Sequence, residues 1–158
     1  MIELILILNK IWRLYKMKFK MRSLQYAKGH GADTVASAIQ KAQAIPKLDR
    51  IPPDYNLENE KLAFICVDAG KKLDDAVKSF ISFLNPSRVK NVALLVVSPN
   101  GDAAMSEMKA AAKSAGVTVV GDLTITVKGG LFKKGSVSDA DVKKAVDWAG
   151  KLVDSLAV

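Results

Sequence analysis

The sequence has a single cysteine, Cys66, and a single histidine, His30. A disulfide framework is therefore excluded, and the common Cys/His zinc sites cannot be assembled. Cys66 lies in the apolar run from Leu62 to Val67, where a thiol serves packing rather than nucleophilic attack or metal binding. A Ser-His-Asp arrangement would have to recruit His30, and nothing else supports one. No apolar stretch reaches the roughly 20 residues that a transmembrane helix requires. Zinc-finger and RNP-like motifs are also missing, and no later segment interleaves Lys/Arg with aromatics as a base-stacking platform does. Nucleic acid is therefore not an expected partner. No general acid, base or nucleophile stands out, so no catalytic or metal-binding residue is assigned.

What is present suits one ordinary domain. The chain has 158 residues, 49% of them hydrophobic and 25% charged, enough to bury a core without staples. One buried thiol fits a reducing, cytoplasmic setting. The net charge is +8, and much of it lies at the start, where Lys10, Arg13, Lys16, Lys18, Lys20 and Arg22 face only Glu3. The opening MIELILILNKIWRLYK makes a poor secretory signal, because its charges follow the apolar stretch. On a helix, Lys10, Arg13 and Lys16 fall near one face, while Leu6, Ile7, Ile11, Leu14 and Tyr15 form a broad apolar surface. Residues 1–16 thus read as an amphipathic extension and 17–158 as the domain. The extension is open to two readings: contact with an acidic membrane surface or a partner, or an upstream start before Met17 or a helix docked on the domain.

From Met17 onward, strand-like and helix-like segments alternate. MKFKMRSLQYA reads as a strand ended by the turn Lys28-Gly29-His30-Gly31. ADTVASAIQKAQAI follows as a helix closed by Pro46, and a short strand lies around Leu48 to Ile51. Leu62 to Val67 is a continuous apolar run, the pattern of a strand buried on both faces. KKLDDAVKSFISFL is a helix with the stripe Leu73, Val77, Phe80, Ile81 and Leu84. NVALLVV is a second buried strand, DAAMSEMKAAAKSAG a helix with Gly116 past its end, and VTVVGDLTITV a third core run. Ser138, with Asp141 three residues on, caps a last helix that buries Val142, Ala145, Val146, Ala149, Leu152 and Val153. Such alternation predicts an α/β fold whose parallel sheet is covered on both faces. Its ligand crevice lies beyond the carboxyl ends of the strands, where the turns Ala27–Thr34, Asp68–Lys72 and Ser98–Asp102 converge.

The order and character of these pieces resemble the flavodoxin family over roughly residues 18–156. The similarity is carried by QYAKGHGADTVASAI, placed like the family's first strand, phosphate loop and first helix. It is carried again by GVTVVGDLTITVKG and KKGSVSDADVKKAVDWAGKLVDSL, placed like its last strand and closing helix. This flavodoxin-like resemblance implies a three-layer α/β/α sandwich with a five-stranded parallel sheet of order 2-1-3-4-5, and a bound FMN acting in electron transfer. The site implied is Lys28, Gly29, His30, Gly31, Ala32, Asp33 and Thr34 around the phosphate. Asp68, Ala69 and Gly70, then Ser98, Pro99, Asn100, Gly101 and Asp102, flank the flavin. The sequence departs from the family in its phosphate loop, where several hydroxyls are usual and only Thr34 remains. Lys28 or His30 would supply charge in their place, and Asp33 would oppose a phosphate. Neither flanking turn carries an aromatic to cover the ring, and Tyr26 reads as a strand residue.

Three functional readings follow. The first is a flavoprotein of the electron-transport or oxidoreductase class, holding FMN weakly and serving a redox partner protein. A second is a flavodoxin-fold interaction module that has lost FMN. The third, membrane-surface contact, rests on residues 1–16 alone.

Overall fold

A computed structural model of the chain describes residues 2–8, 19–129 and 134–157. Residues 2–8 are helical (α1). Five strands follow: β1 (Met21–Tyr26), β2 (Leu48–Arg50), β3 (Glu60–Asp68), β4 (Val89–Ser98) and β5 (Thr118–Thr126). Between and after them lie α2 (Ala32–Ala42), α3 (Asp75–Ser82), α4 (Met105–Ser114) and α5 (Asp139–Leu156). Every strand pair is parallel, in the order β2-β1-β3-β4-β5. The expected topology is therefore the one formed.

The alternation of side chains along β3 divides the core in two. Leu62, Phe64 and Cys66 point into the layer covered by α2 and α5. Ala63, Ile65 and Val67 point into the layer beneath α3 and α4. Both sets are fully buried, which is why the run reads as continuously apolar rather than alternating. Phe64 meets Trp148 of α5 edge-on, with ring centroids 6.2 Å apart.

Local chemistry sets the helix ends. The Ser138 hydroxyl accepts from the Asp141 amide, and the Asp141 carboxylate accepts from the Ser138 amide, so the capping box forms as expected. Gly116, with φ 78°, lies just past α4. In contrast, α3 begins at Asp75 rather than near Lys71, because the Asp74 carboxylate caps the Ala76 amide and leaves Lys71–Leu73 in the loop. A second departure concerns β5, which is an edge strand with only Ile125 fully buried, not a core run. Its neighbour β4 covers one side alone, and Asp122 and Thr118 face solvent.

At the amino ends of the strands, Arg22 lies 2.5 Å from Asp49 and 3.3 Å from Glu60, two buried carboxylates. Lys20 is 3.6 Å from Glu60. Burial pushes the Glu60 carboxyl above its ordinary range, opposed by the charges of Lys20 and Arg22. Met17 and Lys18, and residues 9–16 of the extension, lie outside the described residues.

Candidate functional site

At the carboxyl end of the sheet the chain leaves β1 through Ala27 and turns at Gly29 and Gly31, whose φ values are 88° and 108°. These left-handed positions let the amides of alternate residues, Lys28, His30 and Ala32, point inward, a concave arrangement suited to an anion. The anion they meet belongs to the chain itself. Asp68, the last residue of β3 and 1% exposed, accepts from the amides of Lys28 (2.6 Å) and His30 (2.8 Å) on Oδ2 and of Ala32 (3.0 Å) on Oδ1. The carboxylate thereby also sits at the amino end of α2, where the helix dipole favours negative charge.

A second segment closes over the same loop. Val137 donates its amide to the His30 carbonyl (3.0 Å), His30 Nδ1 lies 2.6 Å from the Gly135 oxygen, and Lys134 Nζ donates to the Lys28 carbonyl. The approach is close enough that a Cβ on Gly31 would fall 2.5 Å from Val137 Cγ2. This cover was not among the expected site residues, since its partners lie about a hundred positions earlier in the chain.

The other two turns are stapled to this assembly. The Ala69 amide donates to Val97, and Ser98 Oγ donates to the Gly70 carbonyl (3.3 Å) while accepting from the Asn100 amide (3.0 Å). Lys28 Nζ pairs with Asp74 Oδ2 at 2.5 Å. The hydrogen bond between them holds the Lys28 ammonium above its usual value and the Asp74 carboxyl below its own. Lys28 Nζ also stands 5.5 Å from the centre of the Tyr26 ring.

The residues expected at the site therefore separate into four groups, with Ser98 bridging the Gly70 carbonyl and the Asn100 amide outside them. Lys28, His30, Asp68, Ala69 and Gly70 surround one cavity of about 180 Å³, together with Lys72, Asp74 and Lys134. Asp33 and Thr34 line a different groove with Gln25, Ser37 and Lys41, between α2 and β2. Pro99, Asn100, Gly101 and Asp102 form the turn into α4 and are not part of the cavity wall. Gly29 and Gly31 shape the loop backbone, and the Ala32 amide is committed to Asp68.

Elsewhere the structure offers little chemistry. Burial pushes the Cys66 thiol up to about 12, which removes it as a nucleophile. No cluster of three His, Cys, Asp or Glu suited to a metal occurs among the described residues. Nor, among them, is any helix long and apolar enough to cross a membrane.

Solved structures share this architecture, two of them as follows. A short-chain flavodoxin associated with a non-canonical PDU bacterial microcompartment superposes with a TM-score of 0.62. It is 11% identical, and the match covers 86% of this chain and 98% of that one. The fold is flavodoxin-like. A metal-soaked flavodiiron core from Synechocystis, 12% identical, matches with a TM-score of 0.61 over 94% of this chain. Here the chain spans only 40% of its neighbour's length. No protein-family model matches the sequence, and no curated protein is similar to it.

A flavodoxin-like fold raises the question of FMN, and the residues as arranged do not fit it. A phosphate entering the loop would need the amides of Lys28, His30 and Ala32, which Asp68 holds. The loop's one hydroxyl, on Thr34, lines the other groove. The cavity of about 180 Å³ is smaller than the roughly 300–1,000 Å³ of small-molecule pockets.

Proposed function

We propose that this chain is a flavodoxin-fold binding module in which an internal carboxylate has taken the place of a cofactor phosphate. The observation that carries this reading is the set of three loop amides donating to Asp68. A phosphate would have to expel a buried carboxylate from the three loop amides that hold it, and the displaced charge would remain beside the incoming one. Gly135 and Val137 on top of the loop add a second obstruction. The reading sets the module in a reducing cytoplasm, where Cys66 needs no partner.

A second reading retains FMN as a weakly held electron-transfer cofactor and calls for a redox partner protein. It is favoured by the short-chain flavodoxin among the structural neighbours, and by Lys28, Lys72 and Lys134 around the cavity. Under it Asp68, with the amides it occupies, is the cause of the weak affinity.

Titration of FMN followed by flavin fluorescence quenching separates the two. The module reading expects no quenching by the native chain at high micromolar protein, and measurable quenching once Asp68→Ser vacates the loop. Stoichiometric quenching by the native chain, or a yellow purified protein, would overturn it in favour of the electron carrier.

A further inference from the structure

The two edges of the sheet are guarded very differently. β2 is three residues long, with exposed Arg50 on it and exposed Lys47 beside it. Shortness and charge are common means by which an edge refuses a further strand. β5 has nine residues, no proline and a single charge, Asp122, which Lys109 of α4 holds at 3.0 Å. Among the described residues no strand pairs with its outer side. Protection is confined to its start, where Val92 pairs with Val119 and Ala93 with Gly121, so that Val120 is an extra residue in a bulge. Over residues 122–126 the register with β4 is unbroken and the edge is open.

The direction of the backbone groups decides how that edge can be used. The Val127 amide donates to the Ser98 carbonyl of β4. By the two-residue period of a strand, Leu123 and Ile125 also turn their backbone groups to β4, while Asp122, Thr124 and Thr126 turn theirs outward. A row of unpaired amides and carbonyls is a template for another strand, and the side chains select which one. When two copies of β5 run antiparallel about a twofold axis at Thr124, each Thr124 lies opposite the other and Asp122 lies opposite Thr126. On the other face Leu123 falls opposite Ile125, an apolar pair at the closer, non-hydrogen-bonded spacing. Leu123 is only partly buried in one chain, so this pairing takes apolar surface out of water. Exposed Lys128, just past the strand, comes diagonal to Asp122 of the second copy, within reach of a long side chain. In this register the edge is complementary to itself, and no like charges stand directly opposite.

We propose that residues 122–126 form a self-recognition edge through which two copies of this chain join their sheets antiparallel about a twofold axis at Thr124. The contact is isologous, so it uses the open edge of both copies and leaves only the short, charged β2 at each end of the joined sheet. Assembly therefore closes at a dimer. This inference is independent of what occupies the phosphate loop.

Analytical ultracentrifugation of the full chain at high micromolar protein tests it, and the native chain should sediment as a dimer. Thr124→Lys and Thr124→Glu each remove the threonine pair on the axis and set like charges opposite one another, so each should weaken dimerisation by at least roughly fivefold. Mixed in equal amounts, the two should recover it, because only then does position 124 meet an opposite charge. Lys128→Glu, at an exposed position outside the strand, should also weaken the dimer while keeping the native circular dichroism, which serves if position 124 does not accept a charge. The proposal is overturned if the native chain remains a monomer, if the folded variants dimerise like the native chain, or if the mixture of folded position-124 variants associates no better than either alone.

Discussion

Replacing Asp68 with Ala should destabilise the fold far more than an ordinary surface carboxylate would, and phosphate should partly restore what is lost. The side chain is 1% exposed and accepts from three amides, at 2.6, 2.8 and 3.0 Å. A hydrogen bond to a charged group contributes about 1.5–3 kcal/mol. The Ala32 amide is buried and would be left without a partner, whereas Lys28 and His30 lie near the surface and their amides can rehydrate. One full and two partial losses suggest a cost of about 3–5 kcal/mol. For a chain of this size each kcal/mol moves the midpoint by about 2–4 °C, so a fall in Tm on the order of 10 °C is expected. In the variant the loop amides converge on unfilled space. Inorganic phosphate at about 50 mM with a Kd of about 1 mM would return about 2 kcal/mol, and the native chain should show no such response. Thermal and urea unfolding followed by circular dichroism, with chloride as the ionic-strength control, reads both effects. An Asp68→Ala midpoint within about 2 °C of the native one, or an equal phosphate response in both proteins, would refute the reasoning.

Other expectations follow from the same geometry. Gly31→Val should cost about 2–4 kcal/mol in urea unfolding, because φ is 108° and a Cβ would meet Val137 at 2.5 Å; adding Val137→Ala should recover only the steric part. Cys66 should resist thiol reagents at pH 8 until the protein unfolds, and the thiol's contribution to stability should be lost only as pH rises from 9.0 toward about 12. Glu60 ionises less readily folded than unfolded, so its charging lowers stability as pH rises through and above 4.5; in Glu60→Gln that part of the pH profile should flatten, measured as urea midpoints across the acid range.

The features legible in the sequence were those whose causes lie within a few residues. The apolar run Leu62–Val67 carries the composition of a strand buried on both faces within its own six residues, and Ser138 with Asp141 caps α5 through bonds spanning only three positions. The strand order followed from resemblance to a known fold and is the order formed. Packing decided the rest. Whether Asp68 would face a ligand or fill the loop depended on amides 36 to 40 positions away. The cover of Lys134, Gly135 and Val137 depended on a return of the chain from beyond β5. Periodicity told that Thr34 and Asp33 open a helix but not that they turn toward β2, since that depends on how α2 is rotated by its buried Ala32, Val35, Ala36 and Ile39. Helix stripes, caps and strand runs are set by local sterics and hydrogen bonding, which a sequence displays directly. Which groups satisfy the loop amides is a competition among distant residues, settled only when tertiary packing brings the carboxylate of β3 against the loop after β1.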